Sequence, residues 1–334
     1  MHALKADRSL FGVEAVARMI ESGATLLLAA EEALLDQLPR GNWIAGTIPY
    51  FMSAEQGGVE DHERIFVTRL PNQARVHRQE LMDGEALPSF AQSGPDNGFT
   101  LLYLPSQSDV HGMFALHGQT WPGLFDRPVV GWVAGTALDR VGLDTAKVYD
   151  GASGTKSDTH AAVMHIALPD HAWAAVDTVN LFEQGDGDAI HFDTLGFTAG
   201  EARINGQKRR LIDYIEEHGI DTRLPLVADY NGAKINVATA RIIEEEGKLE
   251  FFAPVFPGIT YRFAKPIGDY PALFEEKVAK MDRPPSFSCN CILNYNYADL
   301  EGRHTAGITG PMSFGEIAYV LLTQAVVYLT IEGL

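Results

Sequence analysis

Two short, fully apolar runs separated by a helical segment constrain the fold of this chain more than any other feature. Residues 24–30 (ATLLLAA) and 42–47 (NWIAGT) are too short for buried helices and are therefore predicted to be buried strands. The segment between them, residues 31–38, is predicted to be a helix, which Pro39 ends. Two apolar strands joined through a helix predict a βαβ unit, and hence a parallel or mixed sheet covered by helices.

Further elements follow along the chain, each indicated by spacing and turn residues. Apolar residues at helical spacing predict a first helix over 10–20, with Ser9 as its N-cap and Gly23 after its end. The other predicted strands lie over 99–104, 129–136, 226–229, 234–243, 249–256, 260–264, 287–293 and the second half of 317–331, with antiparallel strands within 146–168 and 189–204. The other predicted helices lie over 109–116, which Asp109 caps, over 208–218, which Gly219 ends, and over 269–281. Together they predict an α/β fold of the mixed α+β type. It has two subdomains, residues 1–204 and 205–334, each a mixed β-sheet flanked by helices.

The net charge of the chain restricts the kinds of partner that it is expected to bind. Forty-four Asp and Glu against 26 Lys and Arg give a formal net charge of −18. Nucleic acid is bound by clustered basic residues that release counterions, so we expect no nucleic-acid partner. The densest basic run, Lys208–Arg210, lies within a predicted helix and indicates a solvated helix face. Anionic membrane surfaces are disfavoured for the same electrostatic reason.

The cysteine content and the apolar runs bear on location. Cys289 and Cys291 are the only cysteines, which suits a reducing compartment. The first eight residues have no apolar core or cleavage signal, and the longest apolar stretch, residues 317–331, is shorter than a spanning helix needs. We therefore predict a soluble, cytoplasmic protein without a membrane partner.

The order of features from residue 204 onward resembles the C-terminal half of the FIST sensory-domain family. The matching segments are Ile204-Asn-Gly206, the helix up to Gly219, Pro225-Leu226, Phe256-Pro-Gly258, the helix over 269–281, Phe287-Ser-Cys289 and the strand entry Gly310-Pro-Met-Ser-Phe-Gly-Glu-Ile317. Two apolar strands ending in Gly-Thr, residues 42–47 and 129–136, resemble the other half of the family. The chain departs from the family after Cys289, where residues 290–297 replace a stretch that is often rich in Gly and Arg.

The resemblance to the FIST family implies a sensory protein that binds an amino-acid-like ligand between its two halves. This chain has no recognisable output segment, so the signal is expected to pass through a partner protein or a change in self-association, for which a homodimer is a candidate. Some members of that family bind haem and sense nitric oxide, so a haem-based gas sensor is an alternative. No cofactor is otherwise predicted.

Glycine-bearing strand ends provide the candidate ligand site. In open α/β sheets, ligands collect beyond the carboxyl ends of strands, where glycine allows close backbone approach. The candidate ligand-binding residues are Gly46, Thr47, Ser106, Gly135, Thr136, Cys289, Gly315 and Glu316. We expect the tips near residues 46, 135 and 315 to converge on one hollow, since a cleft is the usual place for a small-molecule ligand.

An enzyme on the same scaffold is the other alternative. Cys289 is a candidate nucleophile if a nearby base lowers its pKa, although a buried free cysteine is more often a small hydrophobe. Asp186 and Asp188 offer weak candidate ligands for a divalent cation, although the sequence around them lacks the closing Glu of a calcium-binding loop. No catalytic residue is otherwise indicated.

Overall fold

The computed structural model describes residues 8–230, 233–279 and 284–334. Strands make up 43% of the described residues and helices 19%, and several mixed sheets are flanked by few helices. The mixed α+β class predicted from the sequence is thereby confirmed. None of the described helices has the length and apolar character needed to cross a bilayer.

The elements alternate along the chain as short strands and shorter helices. The strands are β1 (Arg8–Phe11), β2 (Leu26–Ala30), β3 (Trp43–Thr47), β4 (Tyr50–Ser53), β5 (Gly57–Glu60), β6 (Ile65–Arg69), β7 (Arg75–Met82), β8 (Gly98–Pro105), β9 (Val129–Ala134), β10 (Val148–Asp150), β11 (Thr155–Ser157), β12 (Ala161–Ala167), β13 (Trp173–Val179), β14 (Ile190–His191), β15 (Gly196–Ala199), β16 (Glu201–Ile204), β17 (Gln207–Arg210), β18 (Leu226–Tyr230), β19 (Ala233–Val237), β20 (Thr239–Ile243), β21 (Lys248–Val255), β22 (Thr260–Phe263), β23 (Phe287–Cys291), β24 (Gly310–Ser313), β25 (Glu316–Ala318), β26 (Val320–Leu322) and β27 (Val326–Glu332). The helices are α1 (Val13–Glu21), α2 (Glu32–Leu35), α3 (Asp109–His117), α4 (Leu211–His218), α5 (Tyr270–Val278) and α6 (Ile292–Tyr297).

Three six-stranded sheets enclose the main core. The first has the order β1-β6-β2-β3-β10-β11, the second β26-β25-β9-β8-β12-β7, and the third β13-β27-β23-β24-β4-β5. One buried cluster contains Ile44 of the first sheet, Trp132 of the second and Val327 of the third, so the inner faces of these sheets pack on one another. Helices α1 and α2 cover the outer face of the first sheet, and α3 covers the outer face of the second. The first and second sheets are thus each covered by helices on their outer face, and the third sheet packs with them around the shared core.

Parallel strand pairs lie at the centre of each of these sheets. β2 pairs with β3 and β8 with β9 in parallel, as predicted from the apolar runs, and β23 pairs with β24 in the same way. Strands buried on both faces need no polar alternation, which is why β2, β3, β8 and β9 are nearly all apolar. A helix or helical turn connects the two strands of each pair. The carboxyl ends of β3 and β9 lie next to each other in two stacked sheets.

Several predicted element boundaries near the N-terminal half are wrong. The first helix begins at Val13 with Gly12 as its N-cap, because Ser9 and Leu10 belong to β1 and pair with β6. The helix predicted over 31–38 is a single turn. Ser108, rather than Asp109, caps α3, since its hydroxyl accepts from the backbone N–H of His111 at 3.2 Å.

Other corrections lie beyond residue 204. The basic run Lys208–Arg210 is strand β17 rather than helix, because it forms a hairpin with β16 across the Asn205-Gly206 turn. The helix predicted over 269–281 is α5, which ends at Val278 with Ala279 as its C-cap, and the last two residues of the predicted range lie outside the described residues. The strand predicted over 287–293 ends at Cys291, where α6 begins.

Residues 183–265 form a unit that leaves and rejoins the rest of the chain at one place. Its two sheets, β17-β16-β14-β22-β18-β19 and β15-β21-β20, enclose a separate buried cluster. The two ends meet where the N–H of Lys265 donates to the carbonyl of Glu183 at 3.0 Å. The predicted subdomain boundary at 204/205 falls at the turn of the β16–β17 hairpin. Strands from both sides of that boundary share the second and third sheets.

Candidate functional site

The ends of β3 and β9 are joined by two hydrogen bonds. The backbone N–H of Gly135 donates to the carbonyl of Thr47 at 2.8 Å, and the Thr47 hydroxyl donates to the carbonyl of Gly135 at 2.9 Å. The same hydroxyl accepts from the N–H of Lys147 at 2.9 Å. Thr47, which is 5% exposed, therefore ties together two stacked sheets and the start of β10.

The segment before β25 reaches the same place. The N–H of Phe314 donates to the carbonyl of Val133 at 3.0 Å, and the N–H of Val133 donates to the carbonyl of Gly315 at 2.8 Å. A Cβ on Gly135 would lie 2.4 Å from the Phe314 ring, so this close approach requires glycine. The tips near residues 46, 135 and 315 thus lie beside one another in the structure.

Two adjoining clefts open at these strand ends. The larger, which we call the Thr47 cleft, has a volume of about 550 Å³ and is lined by Thr47, Gly135 and Thr136. The smaller, the Ser106 cleft, has a volume of about 350 Å³ and is lined by Ser106, Thr136 and Phe314. Thr136, Asp144 and Thr145 line both clefts, so the two share a wall.

Acidic side chains dominate the Thr47 cleft. Its ionisable lining residues are Glu31, Glu32, Glu60, His62, Asp139, Arg140, Asp144 and Lys147. Arg140 pairs with Asp144 at 2.8 Å, and Lys147 pairs with Glu32 at 2.7 Å. Both lysine and arginine charges are therefore engaged with carboxylates of the cleft itself.

His62 stands between two carboxylates at the rim of this cleft. Its Nδ1 lies 2.7 Å from Glu31 Oε1 and its Nε2 lies 3.1 Å from Glu60 Oε1. Partial burial on its own would lower the pKa of His62, but the hydrogen bonds and charges of the two carboxylates raise it above its ordinary value. The imidazole is therefore held in its protonated form to a higher pH than a free histidine.

The Ser106 cleft is also acidic. Its ionisable lining residues are Asp109, Asp144 and Asp158, and the rest of its polar wall consists of hydroxyl and amide side chains. Gln107, at the turn from β8 into α3, has a φ of 61°, in the left-handed region that a side chain such as glutamine rarely adopts. This turn places Ser106 and Gln107 at the mouth of the cleft.

The loop over residues 137–147 separates the two clefts. It carries Asp144 and Thr145 into both, and its larger apolar side chains, Leu138, Val141 and Leu143, are exposed, Leu143 to 70%. Its start is anchored where the N–H of Leu138 donates to the Tyr50 hydroxyl at 3.1 Å. Burial raises the pKa of Tyr50 to about 12, so the phenol is neutral at physiological pH.

Four of the predicted site residues do not line the clefts. Gly46 packs against Trp132, and Gly315 packs against Val133 and Leu321. Glu316 is wholly buried, and its carboxyl oxygens accept hydrogen bonds from the Ser313 hydroxyl at 2.8 Å and the N–H of Ala325 at 3.3 Å. These residues support the strand ends without facing a ligand.

Cys289 is the fourth of these residues. It is 1% exposed, and its thiol donates to the carbonyl of Gly131 at 3.5 Å inside the main core. Burial raises the pKa of the Cys289 thiol, because the charged thiolate is disfavoured away from water. This is the environment of a structural cysteine.

The two candidate metal ligands, Asp186 and Asp188, do not line either cleft, and each has a different partner. The side chain of Asp186 is 98% exposed and lies 3.7 Å from Lys265 Nζ. The carboxylate of Asp188 accepts from the side-chain amide of Asn205 at 2.6 Å. Within residues 8–230, 233–279 and 284–334, no three His, Cys, Asp or Glu side chains are grouped so that they could hold a metal ion.

The acidic residues of the Thr47 cleft were not predicted from the sequence. Glu31 directly follows β2, so the rule that ligands collect at the carboxyl ends of strands would have identified it. Glu60, His62 and Lys147 reach the cleft because β5 and β10 pair with β4 and β3. No local pattern in the sequence reveals those pairings.

Comparison with known proteins adds a family but no activity. A family model described as a family of unknown function, DUF6976, matches residues 11–332. No curated protein matches the chain. No solved structure matches it either. The resemblance to the FIST family stays a prediction.

Proposed function

The chain belongs to the DUF6976 family, and we propose that it is a binding protein for a small polar metabolite that carries an amino group. The ligand occupies the Thr47 and Ser106 clefts at the ends of β3, β8 and β9. This location differs from the expected cleft between residues 1–204 and 205–334, because Phe314 is the only described residue beyond 204 that lines these clefts.

The observation that carries the proposal is the excess of carboxylates around the clefts. Five acidic side chains line the Thr47 cleft, and the Ser106 cleft adds Asp109 and Asp158. His62, Arg140 and Lys147 are the basic residues of the lining. Since Arg140 and Lys147 already pair with carboxylates, the remaining field favours a ligand ammonium group.

The backbone at the strand ends supports a small ligand in particular. Gly135 lets the Phe314 ring pack directly on the end of β9, and hydroxyls of Ser106, Thr136 and Thr145 line the Ser106 cleft beside it. Hydroxyl groups can donate to a ligand carboxylate or accept from its amino group. Together with the resemblance to the FIST family, this supports an amino-acid-like ligand.

The proposed mechanism of signalling is movement of the 137–147 loop. A ligand that contacts Asp144 and Thr145 from both clefts favours the loop position that closes on it, in proportion to its higher affinity for that state. Leu143, 70% exposed on the loop, would change its position with closure and present an apolar contact to a partner protein or a second copy. We place the protein in the cytoplasm, since its two cysteines are free thiols.

The test is calorimetric titration of the whole protein with amino acids, polyamines and their analogues in which the amino group is replaced by hydrogen. Asp144→Asn removes one carboxylate shared by both clefts with little change in volume. The matched control is Asp193→Asn, because the Arg203–Asp193 pair has the same 2.8 Å separation and nearly the same exposure as Arg140–Asp144.

We expect an amine-bearing compound to bind the wild type and the Asp193→Asn variant alike. Its affinity should fall roughly tenfold in Asp144→Asn, as for loss of one hydrogen bond to a charged group. If no amine-bearing compound binds the folded protein, or if both variants lose affinity equally, the proposal is wrong.

The enzyme alternatives receive no such support. A thiol that is buried and kept protonated is a poor nucleophile, and Asp186 and Asp188 have different partners on the surface. We therefore do not propose catalysis at either place.

A further inference from the structure

A separate cavity of about 240 Å³ lies between α3 and the 183–265 unit. Phe114 and Ala115 of α3 and Val320 and Leu321 of β26 line it, together with residues of the 183–265 unit that include Val237 of β19. The cavity is thus built jointly by the 183–265 unit and by the rest of the chain, and none of its lining residues lines the Thr47 or Ser106 cleft.

No described residue in the lining of this cavity is charged at neutral pH. Its twelve described lining residues include no Asp, Glu, His, Lys or Arg, although the chain as a whole carries 44 acidic and 26 basic residues. Gln119 and Tyr230 are the polar side chains among them. An occupant that carried a charge would lose its hydration without gaining a partner, so the lining selects an uncharged molecule.

The size of the cavity limits the occupant further. A dry, apolar protein cavity of about 150 Å³ can bind benzene. At about 240 Å³ this cavity has room for two fused rings but not for a helix or a strand of another protein. The aromatic walls offer ring faces, and the Gln119 amide offers one donor and one acceptor at the edge.

An aromatic pair marks the mouth of the cavity. Phe125 lines it with 61% of its surface exposed, and its ring stacks on Tyr319 at a centroid distance of 5.8 Å. Tyr319 has a φ of 62°, an uncommon conformation for a bulky residue, between β25 and β26. The chain therefore holds an exposed ring in place beside an open apolar space.

We propose that this cavity is a binding site for an uncharged aromatic molecule of about two fused rings with at most one hydrogen-bonding group. The site is independent of the amine-binding clefts and does not require that proposal to hold. Indole is a suitable probe because it combines two fused rings with a single N–H donor.

Calorimetric titration of the whole protein with indole tests this proposal. Ala115→Leu fills the cavity from a helical position, where leucine is nearly as good a helix former as alanine, and Ala17→Leu on α1 makes the same change in a helix away from the cavity. Phe125→Ala is a second variant with low risk to folding, since that side chain is mostly exposed. Indole-3-acetate serves as the charged counterpart.

We expect saturable indole binding to the wild type and to Ala17→Leu, at least a tenfold loss in Ala115→Leu, and a loss of roughly three- to tenfold in Phe125→Ala. Indole-3-acetate should bind at least tenfold more weakly than indole. Absence of saturable binding at millimolar indole, or equal affinity in Ala115→Leu and Ala17→Leu, would overturn the proposal. Asp144→Asn should leave indole affinity unchanged, which separates this result from the test of the clefts.

Discussion

Glu316 shows how one residue can be central to the fold without serving a ligand. Its position before a closing strand made it a candidate site residue, but the segment places its carboxyl in the core beside Ser313 and Ala325. Burial raises the pKa of Glu316 to about 8, and the hydrogen bonds offset only part of that effect. The carboxyl is therefore mainly protonated in the folded protein at neutral pH.

Replacing this carboxyl should change how stability depends on pH. Unfolded Glu316 ionises near its usual pKa of 4.5, whereas the folded form holds its proton up to about pH 8. Between these values the folded state binds more protons, so its free energy of unfolding falls as pH rises through that window. We expect Glu316→Gln to remove this fall, with the wild type losing stability relative to the variant from pH 5 to pH 8.

Denaturant unfolding at several pH values measures this difference. Glu14→Gln, an exposed change on α1, is the control and should run parallel to the wild type. Parallel curves for Glu316→Gln and the wild type would show that the carboxyl is ionised in the folded protein.

The sequence predicted the identity of the converging residues better than their roles. Thr47, Ser106, Gly135 and Thr136 were chosen because they follow apolar strands, a property visible in the chain itself. Whether such a residue faces a cleft or the core depends on the layer stacked against it. Gly315, beside Val133, shows that dependence.

At the scale of elements, the 137–147 loop is the part of the site whose order can be measured. It begins with the hydrogen bond from the N–H of Leu138 to Tyr50. Tyr50→Phe removes the acceptor and keeps the ring, so we expect amide exchange in this loop to accelerate about fivefold, as for loss of one ordinary hydrogen bond.

Hydrogen exchange followed by mass spectrometry over residues 137–147 provides the measurement. Tyr328→Phe removes a phenol that bonds to Asp177 at 3.2 Å away from the loop and is the matched control. Equal exchange in both variants would mean that Tyr50 does not anchor the loop.

Local patterns predicted buried strands well and surface elements less well. Apolar runs such as residues 26–30 can only be interior, so β2, β3, β8 and β9 were found close to their observed bounds. The run Lys208–Arg210 has ordinary helix propensity, but the Asn205-Gly206 turn pairs it with β16, and Lys208 reaches Glu201 at 2.6 Å. Tertiary pairing overrides weak local preference there.

At the scale of the molecule, sheets assembled from distant segments decide which fragments can fold. Glu316 of β25 pairs with Trp132 of β9, and Gly310 of β24 pairs with Met52 of β4. A fragment of residues 205–334 keeps β24 and β25 but loses those partners. Residues 183–265 keep both of their sheets and their own core.

We therefore expect residues 183–265 to fold alone and residues 205–334 to remain largely unfolded or to aggregate. Amide proton dispersion in NMR spectra and elution volume on gel filtration distinguish these outcomes. Cooperative folding of 205–334 would show that its strands do not need β4 and β9. Such pairings join residues more than 180 positions apart, which explains why the sequence alone did not reveal them.

The contact between Glu183 and Lys265 has an evolutionary consequence. A chain that exits and returns at adjacent backbone positions can exchange the intervening module for a tight turn or for an unrelated one without rethreading any other strand. Proteins that descend from a common ancestor can therefore diverge here by replacement of the whole 183–265 unit. Such a replacement keeps the Thr47 and Ser106 clefts but removes or reshapes the cavity beside α3.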